Sequence, residues 1–298
     1  MGMTNHQLNG LLIGALLLFN SCAKDELHNT THPTLGAVQV TTDWTGHTAE
    51  ATLPTHYTLR IGTTEKEVSG SVNEFHSLLQ PSRYTLLAYN TPQGITVNGN
   101  TATVNLLPDG TLEPMPGYLF SGTTQLTAIA DNIVRVILPM KQRIRQLTLI
   151  LKLKAGDDAR IASITSALTG VATSIDLATG VVTATEGKTV IPTFALIKVP
   201  ATKRNGTRAA TDSIKLKNTV RLVGVVSTEK QKLNLNFTLN DGSVQSVSTN
   251  LTALLENFTK TNLEPLVLDA TLELPAEAGV SATITDWAIV ENGNVDIH

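Results

Sequence analysis

Leu147-Thr148-Leu149-Ile150-Leu151-Lys152-Leu153-Lys154 puts leucine at every second position, with Thr, Ile and Lys between. Successive side chains of an extended chain point to opposite faces, so this spacing gives one apolar face and one mixed face, the mark of a half-buried strand. The same period recurs on the C-terminal side. Leu233, Leu235, Phe237 and Leu239 alternate with Asn and Thr, and Asn240-Asp241-Gly242 then turns the chain into Val244-Gln245-Ser246-Val247. Leu266, Leu268, Ala270, Leu272 and Leu274 supply five inward positions before Pro275. Such faces are buried only by a facing sheet, so the pattern predicts an all-β chain packed as a β-sandwich.

Toward the N-terminus, Ala37-Val38-Gln39-Val40, Tyr57-Thr58-Leu59-Arg60-Ile61, Tyr84-Thr85-Leu86-Leu87-Ala88-Tyr89 and Ile133-Val134-Arg135-Val136-Ile137-Leu138 read as strands, the last stopped by Pro139. Asn98-Gly99-Asn100 is a hairpin turn between Ile95-Thr96-Val97 and Thr101-Ala102-Thr103-Val104. The one helix candidate, Leu251 to Phe258, is short. A chain of 298 residues has room for two ordinary domains. The expected division is a segment 1–21, a tether 22–34, an N-terminal sandwich 35–139 and a C-terminal sandwich 140–298.

Composition agrees with strands. Thr fills 44 positions, and β-branched side chains lose rotamer freedom on a helix but fit a pleated surface. A net charge of −3 argues against a nucleic-acid partner, which requires a basic face to displace counterions from phosphates. A single cysteine leaves no disulfide framework and no thiolate metal cage within one chain. A collagen, a coiled coil, a polytopic membrane protein and a disordered chain are excluded.

That cysteine, Cys22, follows the most apolar run of the chain, Leu11 to Phe19. Nine residues at ~1.5 Å each cannot cross a hydrocarbon core of ~30 Å, so residues 1–21 read as a signal peptide. Phe19-Asn20-Ser21-Cys22 resembles a bacterial lipobox, in which the cysteine becomes an acylated N-terminus carrying palmitate-type chains. Lys24-Asp25-Glu26 resembles the signal that sends Bacteroidetes lipoproteins to the outer face of the outer membrane. The expected location is therefore the cell surface, held by lipid, and His28 to Pro33 is the tether.

Trp44, the strand Ser82 to Asn90, the junction Met140 to Leu147, Leu168-Thr169-Gly170-Val171, Leu239 to Gly242, and Leu272 to Pro275 through Asp286-Trp287 form an ordered series over nearly the whole chain. With the lipobox, they resemble the fimbrillin superfamily of Bacteroidetes, most closely its lipoprotein branch of fimbrial anchor and minor subunits. The resemblance implies two tandem transthyretin-like β-sandwich domains and a place in building or anchoring surface pili, with other fimbrial subunits as partners and the outer membrane as support. It further implies assembly by strand addition, in which one subunit's strand completes a neighbour's sheet. Stalk subunits of that superfamily open a groove when an arginine-specific protease removes the first strand. Here the first arginine after Cys22 is Arg60, inside an alternating segment, where it reads either as a solvent-facing strand charge or as a protease site. The absence of arginine between Cys22 and Arg60 favours an anchor that keeps its lipid over a stalk processed after Arg60. The tail from Ile289 to His298 alternates poorly, a mediocre donor strand. A tip or surface adhesin binding glycan or host protein is the competing reading.

Enzymatic motifs are weak. Glu186-Gly187-Lys188-Thr189 imitates the end of a P-loop without its first glycine, since residue 182 is Val182. No histidine pair has ligand spacing, no Ser–His–acid grouping has a nucleophile-elbow setting, and nothing calls for a cofactor or metal. Asp157-Asp158 on a turn reads as solvated. Lys203 to Arg208 is a basic loop, and Asp212-Ser213-Ile214 fits the acidic–hydroxyl–aliphatic pattern of Bacteroidetes O-glycosylation, which makes Ser213 a candidate sugar site. Trp44 and Trp287 read as plugs at sandwich ends, because 12 aromatics leave few for a carbohydrate platform.

Overall fold

A computed structural model describes residues 34–199, 213–258, 263–275 and 280–290. Its first half carries β1 (Ala37–Asp43), β2 (His56–Ile61), β3 (Thr64–Ser69), β4 (Val72–Glu74), β5 (Arg83–Tyr89), β6 (Ile95–Asn98), β7 (Thr101–Val104), β8 (Phe120–Thr127) and β9 (Ile133–Pro139). Then come β10 (Lys141–Gln142), β11 (Arg145–Leu153), β12 (Ile161–Val171), β13 (Ser174–Asp176), β14 (Lys188–Val190), β15 (Ala195–Val199) and β16 (Ser213–Leu222). The last elements are β17 (Lys232–Leu239), β18 (Val244–Asn250), the one-turn helix α1 (Thr252–Leu255), β19 (Leu266–Glu273) and β20 (Thr283–Ile289). The all-β expectation holds, and the one helix among the described residues lies inside the Leu251–Phe258 segment that the sequence marks.

Two sheets of the first half, β4-β1-β9 and β10-β8-β5-β2-β3, pack face to face. Trp44, just after β1, meets the rings of Tyr57 and Phe120 edge-on at 5.3 and 5.6 Å, joining the two layers. In the second half, β15-β16-β11-β19-β20 and β14-β12-β17-β18 bury their leucine faces together. The alternating leucines behave as their spacing requires: Leu147, Leu149 and Leu151 of β11, Leu233, Leu235 and Phe237 of β17, and Leu268 and Leu272 of β19 are all buried. A small sheet β13-β7-β6 joins the halves, because β7 pairs with the predicted hairpin partner β6 on one side and with β13 on the other. β10 pairs back onto β8, so the chain still belongs to the first sheet pair at Gln142.

The two halves share a plan that their sequences conceal. Each opens with a strand that runs parallel to a much later one: β1 beside β9, and β11 beside β19. Recurrent turn chemistry is legible, by contrast. In Asp109-Gly110-Thr111 and Asp241-Gly242-Ser243 the carboxylate accepts both the backbone N–H and the hydroxyl two residues on. Each central glycine sits at φ of 80° or 83°, where a Cβ is disfavoured. The hydroxyl and amide donors hold both carboxyls below the usual aspartate range.

Candidate assembly interface

β1 is the centre of its sheet. It pairs antiparallel with β4 and parallel with β9, and Val38, Val40 and Thr42 face inward and are buried. Both ends are closed by backbone bonds, Ala37 N–H to the Asn132 carbonyl at 2.9 Å and Met140 N–H to the Asp43 carbonyl at 2.8 Å. Inside, the Thr42 hydroxyl meets the Tyr57 hydroxyl at 3.1 Å, Asn73 Nδ2 donates to that hydroxyl at 2.9 Å, and it donates to the Gly70 carbonyl at 2.9 Å. The first strand is therefore held by two neighbours and a buried polar knot.

Arg60 lies in β2, which pairs with β3 and β5. Alternation suggests a free surface charge, yet its side chain is only 14% exposed. Nη1 donates to the Gly99 carbonyl at 2.8 Å and approaches Glu65 Oε1 at 3.4 Å, Nη2 donates to Asn100 Oδ1, and the guanidinium lies 5.7 Å from the Tyr89 ring centre. The Tyr89 hydroxyl donates to the same Glu65 oxygen at 3.0 Å. Burial, then that bond, pushes Tyr89 above its ordinary pKa.

The free strand edges differ in protection. β3 carries Glu65, Lys66 and Glu67, and β15 carries Lys198, which pairs with Asp158 at 2.7 Å. β20 is interrupted by a register shift and by Asp286 at φ 58°. β4 and β10 are two or three residues long. Charge, irregularity and shortness are the usual defences of an exposed edge. β9 lacks these defences but for Arg135: it is seven residues long and regular, with Ile133 and Ile137 at the surface. The uncharged terminal strand β18 is instead flanked by Trp287 of β20.

Trp44 and Trp287 are structural, as their isolation in the sequence suggests. Trp44 Nε1 donates to Thr42 Oγ1 at 2.9 Å, and Trp287 Nε1 donates to Thr249 Oγ1 at 3.0 Å, tying β20 to β18 across the sandwich edge. Asp157 departs from expectation. It is buried rather than solvated, because the turn after Gly156 folds it against Arg160, 2.9 Å away. Ser213 is exposed at the start of β16. Cys22, Lys24, Asp25, Glu26, the Lys203–Arg208 loop, Asp212 and the last eight residues lie outside the described residues. Among the described residues no group of three His, Cys, Asp or Glu side chains is placed to hold a metal, and no helix is long and apolar enough to cross a membrane.

Sequence reasoning missed two buried polar anchors at the junction of the halves. Gln142 accepts from Thr48 N–H at 3.0 Å and donates to the Ile144 carbonyl at 2.7 Å. Arg145 donates to the carbonyls of Glu264 at 2.6 Å and Phe258 at 2.7 Å. Their one sequence signal is a polar residue at an inward position of a strand.

Packed sheets with a firmly seated first strand and several free edges define an all-β protein of sandwich architecture. The chain belongs to the family of Fimbrillin-A associated anchor proteins Mfa1 and Mfa2, whose sequence profile matches residues 33–293. Its fold is similar to that of the fimbrial anchor protein Mfa2 from Porphyromonas gingivalis, with TM-score 0.57 at 9% identity over 85% of this chain and 96% of that one. An adhesin-class protein from Bacteroides thetaiotaomicron gives TM-score 0.58 at 12% identity over 89% of this chain and 100% of that one. Another from Bacteroides ovatus gives 0.52 at 14% identity over 85% and 93%. At such identities the likeness is one of fold. A comparison with curated proteins finds no match. The fimbrillin resemblance, in its anchor branch, is borne out.

Proposed function

We propose that this chain is a lipid-anchored anchor or accessory subunit of a fimbrium, displayed on the outer membrane and joined to other fimbrial subunits by β-strand pairing. The observation that carries the reading is the match of the anchor-protein family to residues 33–293. The seating of β1 supports it. A strand paired on both sides, with the first downstream arginine fixed in mid-sheet, suits a subunit that keeps its N-terminal strand, because proteases cut flexible exposed loops. Cys22 then supplies the membrane attachment: each buried CH2 of an acyl chain contributes about 0.8 kcal/mol, so two or more chains hold a protein on a bilayer nearly permanently. The role is structural and employs no catalytic residue. An adhesin reading is less favoured, since both tryptophans are engaged in packing.

Cys22→Ala is expected to move the protein from the membrane fraction to the soluble periplasmic or secreted fraction, and deletion of the protein to release full-length pili into the medium. Cell-attached pili in the deletion strain would overturn the anchoring role. Intact-mass spectrometry of the membrane form is expected to give a chain that begins at acylated Cys22 and retains β1, with any sugar mass mapping to exposed Ser213. A mature chain that begins after Arg60 would identify a polymerising stalk instead, and an unmodified Ser213 would remove the glycosylation proposal.

A further inference from the structure

Parallel pairing fixes which backbone groups of β9 are free. The Ala37 N–H bonds to the Asn132 carbonyl and the Met140 N–H to the Asp43 carbonyl, so even-numbered residues from 132 to 140 turn their backbone groups toward β1. The N–H and C=O groups of Ile133, Arg135 and Ile137 therefore point away from β1, and β9 pairs with no second strand among the described residues. Directly opposed residues share a face, and these three lie opposite Ala37, Gln39 and Thr41, away from the buried Val38 and Val40. Ile137 is 71% and Ile133 43% exposed, with Arg135 between them, exposed and without an ionic partner among the described residues. The edge thus presents three outward backbone pairs whose side chains read apolar, cationic, apolar.

We propose that β9 is the docking edge for an extended strand of another fimbrial subunit, one that carries a carboxylate opposite Arg135 flanked two residues away on each side by branched apolar side chains. This rests on the proposed assembly by strand pairing and names the edge and the chemistry of its partner. Charge selects the occupant. A second copy of this chain, paired edge to edge about the same centre, would set Arg135 against Arg135, and like charges directly opposite are destabilising. An acidic partner turns that guard into a recognition contact, while Ile133 and Ile137 cover its apolar neighbours.

The test uses the full chain and a labelled nine-residue peptide in which a central Glu replaces one Val of an alternating Val–Thr strand. Ile137→Pro removes an outward N–H and leaves the β1–β9 ladder intact; Arg135→Glu reverses the charge. Each is expected to weaken peptide binding about tenfold or more in a fluorescence anisotropy titration, and a peptide with central Lys is expected to rescue Arg135→Glu. Unchanged melting temperatures keep the comparison valid, and if Ile137→Pro unfolds, the charge swap decides alone. Equal binding by wild type and Arg135→Glu, or a wild-type dimer in sedimentation that Ile137→Pro dissolves, would overturn the proposal. In cells, Ile137→Pro is expected to release pili as deletion does. Attached pili in Ile137→Pro beside released pili in the deletion strain would sink the edge and leave the anchoring role standing. Attached pili in both strains would sink the anchoring role, and peptide binding would then judge the edge independently.

Discussion

Arg145→Ala is expected to destabilise the fold by about 3 kcal/mol, because it leaves the buried carbonyl of Phe258 and the partly buried carbonyl of Glu264 without the guanidinium donors that now satisfy them. The substitution also removes the packing of a buried side chain. Arg145 is buried at the first position of β11, and its guanidinium also lies 5.2 Å from the Phe258 ring centre. Burial pulls its pKa below the usual arginine value, opposed by the charge of Glu264. A planar fork that reaches two separate acceptors is not reproduced by a point charge, so Arg145→Lys is expected to recover less than half of the loss. For a domain of this size a melting temperature lower by roughly 6–12 °C follows. A shift within about 2 °C would mean that water replaces the guanidinium without penalty.

Trp44→Ala is the second large effect, a loss of about 3 kcal/mol, within the usual range for deleting a packed aromatic. The indole touches Tyr57 and Phe120 edge-on, and its N–H reaches Thr42, so its removal empties the seam between the β1 sheet and the β8 sheet. Trp44→Phe keeps most of the ring contact and forfeits the hydrogen bond, at about 1 kcal/mol. Because Thr42 belongs to β1, amide hydrogen exchange in β1 is expected to accelerate more than in β11 or β17. Uniform acceleration across both halves would show that Trp44 supports global stability alone and not the seat of the first strand.

Ligand-binding loops dominate function in many folds, but here the surfaces of interest are edges, and edges are defined by what a strand fails to pair with. That property is invisible to alternation. Ile133 to Leu138 reads from its sequence as one more strand, and only the sheet order makes it terminal beside β1. β3 escaped notice for the opposite reason: Thr64-Glu65-Lys66-Glu67-Val68-Ser69 is polar throughout except for Val68, so no apolar period marks it. Arg60 reads as a surface charge from its neighbours, yet the loop at Gly99 and Asn100, remote in sequence, closes over it.

Strand period, turn chemistry and the all-β class were determined by the sequence itself, because each depends on residues two to four apart: alternating leucines in β11, β17 and β19, the Asn98-Gly99-Asn100 hairpin, the Asp-Gly-hydroxyl turns. The parallel pairing of β1 with β9, the double-sided seat of the first strand, the inward turn of Asp157 and the reach of Arg145 were decided only by tertiary structure. Each joins residues far apart along the chain, and the free energy that selects such partners comes from burying whole sheet faces against one another, a quantity that no short window of sequence contains.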